Sequence, residues 1–164
     1  MDDYYEGVVT EYLRADPSMF VRPQCRIQSS AGPLQTAGQH WYCDIVAVRF
    51  RRPETVFLCE VSFAKTPKAL FNRLMAWDAC WSSVRVALAR DNGLPESWPV
   101  QPWVFVRGDR HAFVSSRLAE RFGSRGGSDK MPEPLVTSLE DVTPWRYAPP
   151  LRLPPESVSA KGSQ

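Results

Sequence analysis

Two apolar runs separated by four residues constrain this chain more than any other feature. Residues 41–50 read Trp-Tyr-Cys-Asp-Ile-Val-Ala-Val-Arg-Phe, and residues 55–62 read Thr-Val-Phe-Leu-Cys-Glu-Val-Ser. Both are rich in β-branched and aromatic residues, and the link between them, Arg51-Arg52-Pro53-Glu54, is short and polar. That combination predicts an antiparallel hairpin. Each strand is apolar nearly throughout rather than alternating, so the hairpin is expected centrally in a sheet covered on both faces.

The flanking sequence supplies the covers. Tyr5, Val8, Val9, Tyr12 and Leu13 recur at helical spacing and predict a helix over residues 3–16, ended by Pro17. A strand follows at 19–28, and the Gly-, Ser-, Thr- and Pro-rich stretch 29–39 reads as a loop. After the hairpin, Thr66 as N-cap and Pro67 at the first position open one long helix. Its stripe is Leu70, Leu74, Trp77, Trp81, Val84 and Leu88, and Asn92-Gly93 closes it. A strand at 101–106, a helix at 112–122, a Gly/Ser-rich mobile loop at 123–129 and an edge strand at 134–139 complete an α/β domain over residues 1–147. Residues 148–164 read as a Pro-rich disordered tail.

Several classes fall away on composition. No apolar run approaches the roughly 20 residues of a membrane span, and the N-terminus, Met1-Asp2-Asp3-Tyr4-Tyr5-Glu6, lacks the basic-then-apolar pattern of a signal peptide. The four cysteines, Cys25, Cys43, Cys59 and Cys80, form no CxxC pair and have only His40 and His111 to join them. A zinc site is therefore not expected; buried free thiols in a reducing cytoplasm are. No Walker loop or GxSxG elbow occurs. A net charge of +2 argues against coating nucleic acid by charge alone. The excess of Arg over Lys, 16 to 4, is explained by codon bias or by phosphate recognition.

Each central run carries one acid among apolar residues, Asp44 in the first and Glu60 in the second. A carboxylate inside an apolar strand is costly unless it is paired, hydrogen-bonded or bound to a cation. On adjacent strands of one hairpin the two converge and repel each other, a repulsion that a divalent cation removes. Mg²⁺ takes one or two carboxylates and keeps several waters, which suits two acids beside an open face. The alternative is one acid at a strand end, exposed or paired with an Arg.

A helix bearing a Glu, a hairpin with Asp on one strand and Glu-x-Lys on the next, then a helix and a strand, is the pattern of PD-(D/E)XK nucleases. That superfamily includes restriction enzymes and Holliday-junction resolvases. Here Cys43-Asp44 and Glu60-Val61-Ser62, with acids 16 residues apart, resemble it over residues 3–106. The resemblance implies a restriction-endonuclease-like αβββαβ core with a mixed central sheet flanked by helices. It also implies hydrolysis of DNA phosphodiesters dependent on Mg²⁺ or Mn²⁺. Asp44, Glu60 and the Val61 carbonyl would hold the cation. A Glu of the first helix, Glu6 first and Glu11 second, would complete the shell; at about 140° apart on an ideal helix only one of them points inward.

Two departures stand out. Cys43 replaces the Pro, without chemical consequence, and Ser62 replaces the Lys, which is consequential because a hydroxyl cannot supply a cation. Lys65, three residues on, is the substitute expected to steady the attack, with Lys68 behind it. Ser62, Lys68, Arg73, Arg22 and Arg26 are candidates for substrate contacts, chiefly with phosphates. Trp41 and Trp77 are read as core before base-stacking, and His111 as a solvated loop residue before a general base. DNA is the expected partner, with RNA second and a homodimer the natural form for cutting both strands. A non-catalytic member of the fold that binds nucleic acid or protein is the second reading, favoured by Ser62 and the low charge. A small assembly or toxin–immunity partner with a coincidental acid pair is the third.

Overall fold

Every residue of β3 (Thr55–Ser62) except the last is buried, so this strand has protein on both faces, as its unbroken apolar sequence requires. A computed structural model of the chain describes residues 2–28, 40–127 and 129–144. In it β3 is the middle of a five-stranded mixed sheet with spatial order β1-β2-β3-β4-β5. β1 (Met19–Gln28) pairs antiparallel with β2 (His40–Arg49), and β2 pairs antiparallel with β3. β4 (Val100–Val106) and β5 (Leu135–Ser138) add parallel to β3 and to each other. The loop expected over 29–39 and the tail over 148–164 lie outside the described residues.

Four helices cover the sheet. On one face lies α1 (Asp2–Arg14), whose Val9 and Leu13 pack on Ile45, Phe57, Val61 and Phe105. It stops two residues before the expected end because the Asp16 carboxylate accepts hydrogen bonds from the Ser18 amide at 2.8 Å and hydroxyl at 2.7 Å. That local turn redirects the chain into β1.

On the other face, α2 (Lys68–Ala79), α3 (Trp81–Asn92) and α4 (Gly108–Phe122) enclose the larger core around Val46, Leu58, Leu74, Trp77 and Leu118. Full burial of each such side chain contributes about 1.5–3 kcal/mol. The single long helix expected here is two helices, broken at Cys80, whose φ of −127° and ψ of 30° leave the helical region. One non-helical residue bends the axis yet preserves the phase of the apolar stripe, so Trp77 and Trp81 are both buried. Periodicity alone therefore runs through the break unnoticed. Pro67 rather than Thr66 is the cap, and the helix begins one residue later than expected. Cys80 is also exposed, unlike the three other thiols, against the expectation that all four are buried.

α4 starts four residues before its expected first turn. The Glu140 carboxylate, 32 residues away, accepts a 2.7 Å hydrogen bond from the Gly108 amide. This cap arrives from a short 3-10 turn (Leu139–Val142) beyond β5, which no local pattern around Gly108 reveals. From the Gly/Ser-rich loop that follows, Arg125 bonds Asp78 at 2.8 Å.

Candidate active site

The β2–β3 ladder runs from Arg49↔Thr55 to Ile45↔Cys59 and stops one pair short of placing Asp44 directly opposite Glu60. Beyond that point β2 stays with β1 as far as Gln28↔His40, while β3 stays with β4 to Ser62↔Val106. The sheet forks, and the two acids sit where it opens. In place of the next ladder bond, the Val61 amide donates to Asp44 Oδ2 at 2.7 Å. The amide and carbonyl of one strand residue leave on the same side, so the Val61 carbonyl also faces the fork.

Both neighbours of Asp44 are adjusted to this opening. Across the β1–β2 ladder, Gln24 stands between the pairs Pro23↔Ile45 and Cys25↔Cys43 and is itself unpaired, with φ at 51°. A non-glycine residue there costs about 1 kcal/mol, so the interruption is a maintained feature of the strand. Cys43 belongs to the core under α2–α4, whereas Ile45 belongs to the core under α1, so β2 changes face at Asp44. The Cys43 Sγ lies 3.0 Å from the Ile45 carbonyl and 3.4 Å from that of Cys59. Burial pushes both the Cys43 and Cys59 thiols up, with the nearby Glu60 charge adding to it.

Glu60 is 1% exposed. Its Oε2 accepts a hydrogen bond from Arg73 Nη1, the same nitrogen that donates to Asp44 Oδ1 at 3.3 Å. Its Oε1 is buried with no hydrogen-bond partner among the described residues. Burial raises the Glu60 pKa well above the ordinary carboxylate range, and the Asp44 charge raises it further against the opposing pull of Arg73. The two carboxylates thus meet on one nitrogen, close enough to share one cation. One guanidinium offsets one negative charge, the contact between Glu60 and Asp44 favours a retained proton, and Glu60 Oε1 has no donor among the described residues.

That orphaned oxygen, beside a second carboxylate and a backbone carbonyl, is a donor set that fits a hard divalent cation. Among the described residues no group of three or more His, Cys, Asp or Glu is gathered, so a cation here would find two carboxylates. Such a pair leaves the remaining positions to water or substrate, as Mg²⁺ prefers.

The helix acids separate clearly. Glu6 and Glu11 line one cleft with Pro23 and Gln24. Glu11 is exposed and paired with Arg14 at 3.0 Å. Glu6 is half-buried and follows Tyr5, whose ring stacks on Phe63 at 4.2 Å, just past the end of β3. Glu6 therefore shares a cleft with Gln24, the β1 residue between the two pairs that flank Asp44.

The cations are less uniformly placed. Ser62, two residues after Glu60, is half-buried at the end of β3. Lys65 and Lys68 are exposed on the loop into α2 and on its first turn, with no ion pair among the described residues. Arg73, a candidate for contacts with flanking phosphates, is turned onto the acids here, the buried Glu60 and the part-buried Asp44. Arg22 is held by Asn92 Oδ1 at 3.1 Å near the end of α3, and Arg26 lies 5.5 Å from the Tyr42 ring. Trp77 is core, and His111 lies against the Val136 carbonyl. A cleft of about 630 Å³ between α2 and α4, lined by Lys68, Phe71, Met75, Phe113 and Arg121, is separate from the acids.

Sequence reasoning missed three contributors: Gln24, the Cys43 thiol and Phe63. Phe63 also carries the Arg107 guanidinium 4.9 Å from its ring centre. Only Phe63, as the residue directly after the Glu60-Val61-Ser62 strand end, had a signal to follow. Comparison with family models, curated proteins and solved structures returns no match to the chain.

Proposed function

We propose that the chain is a Mg²⁺-dependent nuclease that hydrolyses DNA phosphodiesters, built on a restriction-endonuclease-like αβββαβ core. The observation that carries this reading is the meeting of Asp44 and Glu60 on a single Arg73 nitrogen, with Glu60 Oε1 buried and unpaired. Buried acids of this kind are destabilising and are expected to persist only for a purpose. Asp44, Glu60 and the Val61 carbonyl would hold the cation, with water or substrate in the remaining positions. The bound cation supplies Lewis-acid polarisation of the phosphate and lowers the pKa of water. Asp44 is fixed for its part by the Val61 amide, and Glu60 by burial. Lys65, exposed on the loop beyond Ser62, would be the cation that steadies negative charge on the phosphate. Ser62 can donate only a hydroxyl hydrogen bond.

A second reading has an observation of its own. Arg73 already supplies positive charge to the acids, and Ser62 removes the usual cation, so the fold can serve as a non-catalytic binder of nucleic acid or protein. Among the described residues no helix is long and apolar enough to cross a membrane.

The deciding experiment incubates purified protein with plasmid, single-stranded DNA and RNA in Mg²⁺ or Mn²⁺, beside an Asp44→Ala/Glu60→Ala double variant. Metal-dependent cleavage by the wild type, lost by at least about a hundredfold in the variant, is expected. Identical behaviour of the two proteins, with no metal-dependent heat of binding, overturns the nuclease reading. Retained nucleic-acid binding without cleavage by the wild type supports the second.

A further inference from the structure

We infer that Arg73 is a resident counter-ion of the fork, which a divalent cation displaces, and that the released guanidinium then grips the substrate phosphate. This rests on the metal-dependent reading above and adds a coupling between its cation and its substrate.

Charge and access point to exchange rather than to a permanent pair. One positive charge faces two carboxyl groups, so the triad balances only while one of them keeps a proton, whereas a divalent cation would balance both acids fully ionised. The three partners also differ in exposure. The Arg73 side chain is 38% exposed, against 18% for Asp44 and 2% for Glu60. The acids are fixed in the sheet, whereas the guanidinium has an open route to solvent.

Only the side chain has to move. α2 is anchored by Leu70, Leu74 and Trp77, all buried, so its backbone remains in place while the long Arg73 stem swings. The guanidinium is also under-used. Nη1 alone bonds the acids, and Nε and Nη2 have no protein partner among the described residues. Once displaced, the planar fork presents its donors to two phosphate oxygens at once, a geometry that Lys65 and Lys68 cannot offer.

Cation and phosphate are thereby linked through one side chain. Without the cation, Arg73 is engaged internally and contributes little to holding a nucleic acid. With it, Arg73 is released at the mouth of the site. By reciprocity, a bound phosphate strand that captures Arg73 raises the affinity for the cation by the same factor.

The test measures Mn²⁺ binding by titration calorimetry in wild type, Arg73→Ala and Arg73→Gln. Binding of a single-stranded oligonucleotide is then compared with and without Ca²⁺, an oxygen-seeking divalent cation, with the oligonucleotide checked for intactness. Removing the competing charge is expected to tighten Mn²⁺ binding about tenfold in both variants. Ca²⁺ is expected to strengthen oligonucleotide binding several-fold more in the wild type than in the variants, where only the cation's own attraction for phosphate remains; an equal gain in all three proteins overturns the grip by Arg73. Arg73→Gln keeps an amide donor beside the acids, so it carries the measurement if Arg73→Ala fails to fold by circular dichroism. Mn²⁺ that binds wild type and folded variant equally, or more weakly in the variant, overturns the exchange while leaving the metal site intact. Mn²⁺ that binds none of the proteins overturns the metal-dependent reading itself.

Discussion

Glu60 concentrates the tension in this molecule: a carboxyl group in the central strand with almost no solvent around it. The groups facing it are Asp44 and the Cys43 thiol from β2, Cys59 from its own strand and Arg73 from α2. Its folded pKa lies above the model-compound value of 4.5, first through burial and then through Asp44. The folded state therefore keeps a proton that the unfolded chain has already lost, and stability falls as pH rises through that window. In metal-free buffer, Glu60→Gln removes this loss. Its stability relative to wild type is expected to grow between pH 4 and pH 8, read by urea denaturation at several pH values, and a constant difference would refute the burial argument. At this scale the acids were legible, because a carboxylate stands out against an apolar strand. Arg73 was only half legible. Its partners lie 29 and 13 residues away, and a cation on a helix surface gives no local sign of turning inward.

Among the elements, helix ends and breaks carried the least sequence signal where their cause was distant. The C-terminus of α3 is the contrary case, since Gly93 adopts φ 64° and was readable as a cap from the Asn92-Gly93 pair alone. A Cβ added at Gly93 meets nothing within 4 Å, so any cost of Gly93→Ala comes from the left-handed backbone alone. That substitution is expected to destabilise by about 1 kcal/mol, and unchanged denaturation would show that the cap tolerates a side chain. The strand bounds of β1 and β3 were read to the residue, because hydrophobic runs bounded by turns define them. The break at Cys80 was invisible because a single skipped residue leaves the stripe in phase. The early start of α4 was invisible because its cap, Glu140, comes from the far end of the fold.

For the whole molecule, burial falls away from β3 toward the edge. Val56 and Leu58 are at most 2% exposed, while Leu135 in the four-residue β5 is 46% exposed. Amide hydrogen exchange is expected to be slowest in β3 and markedly faster in β5; equal protection would contradict a core organised around the central strand. An α/β sheet with helices on both faces was legible from the element order. The fork was not, because it depends on where two ladders stop rather than on what any residue prefers. The near-neutral net charge was informative about affinity for a polyanion, yet silent on Arg73, whose charge is already committed to the acids.

The parallel pairing of β3 with β4 also bears on how such a protein can diversify. Both strands release the chain at the same rim, where Phe63 and Arg107 meet at 4.9 Å, and each then enters a helix. The connections there can lengthen, shorten or change composition without shifting any strand register, since the ladders end before they begin. Changes confined to the β4–α4 junction would reshape this rim while leaving Asp44, Glu60 and Lys65 untouched.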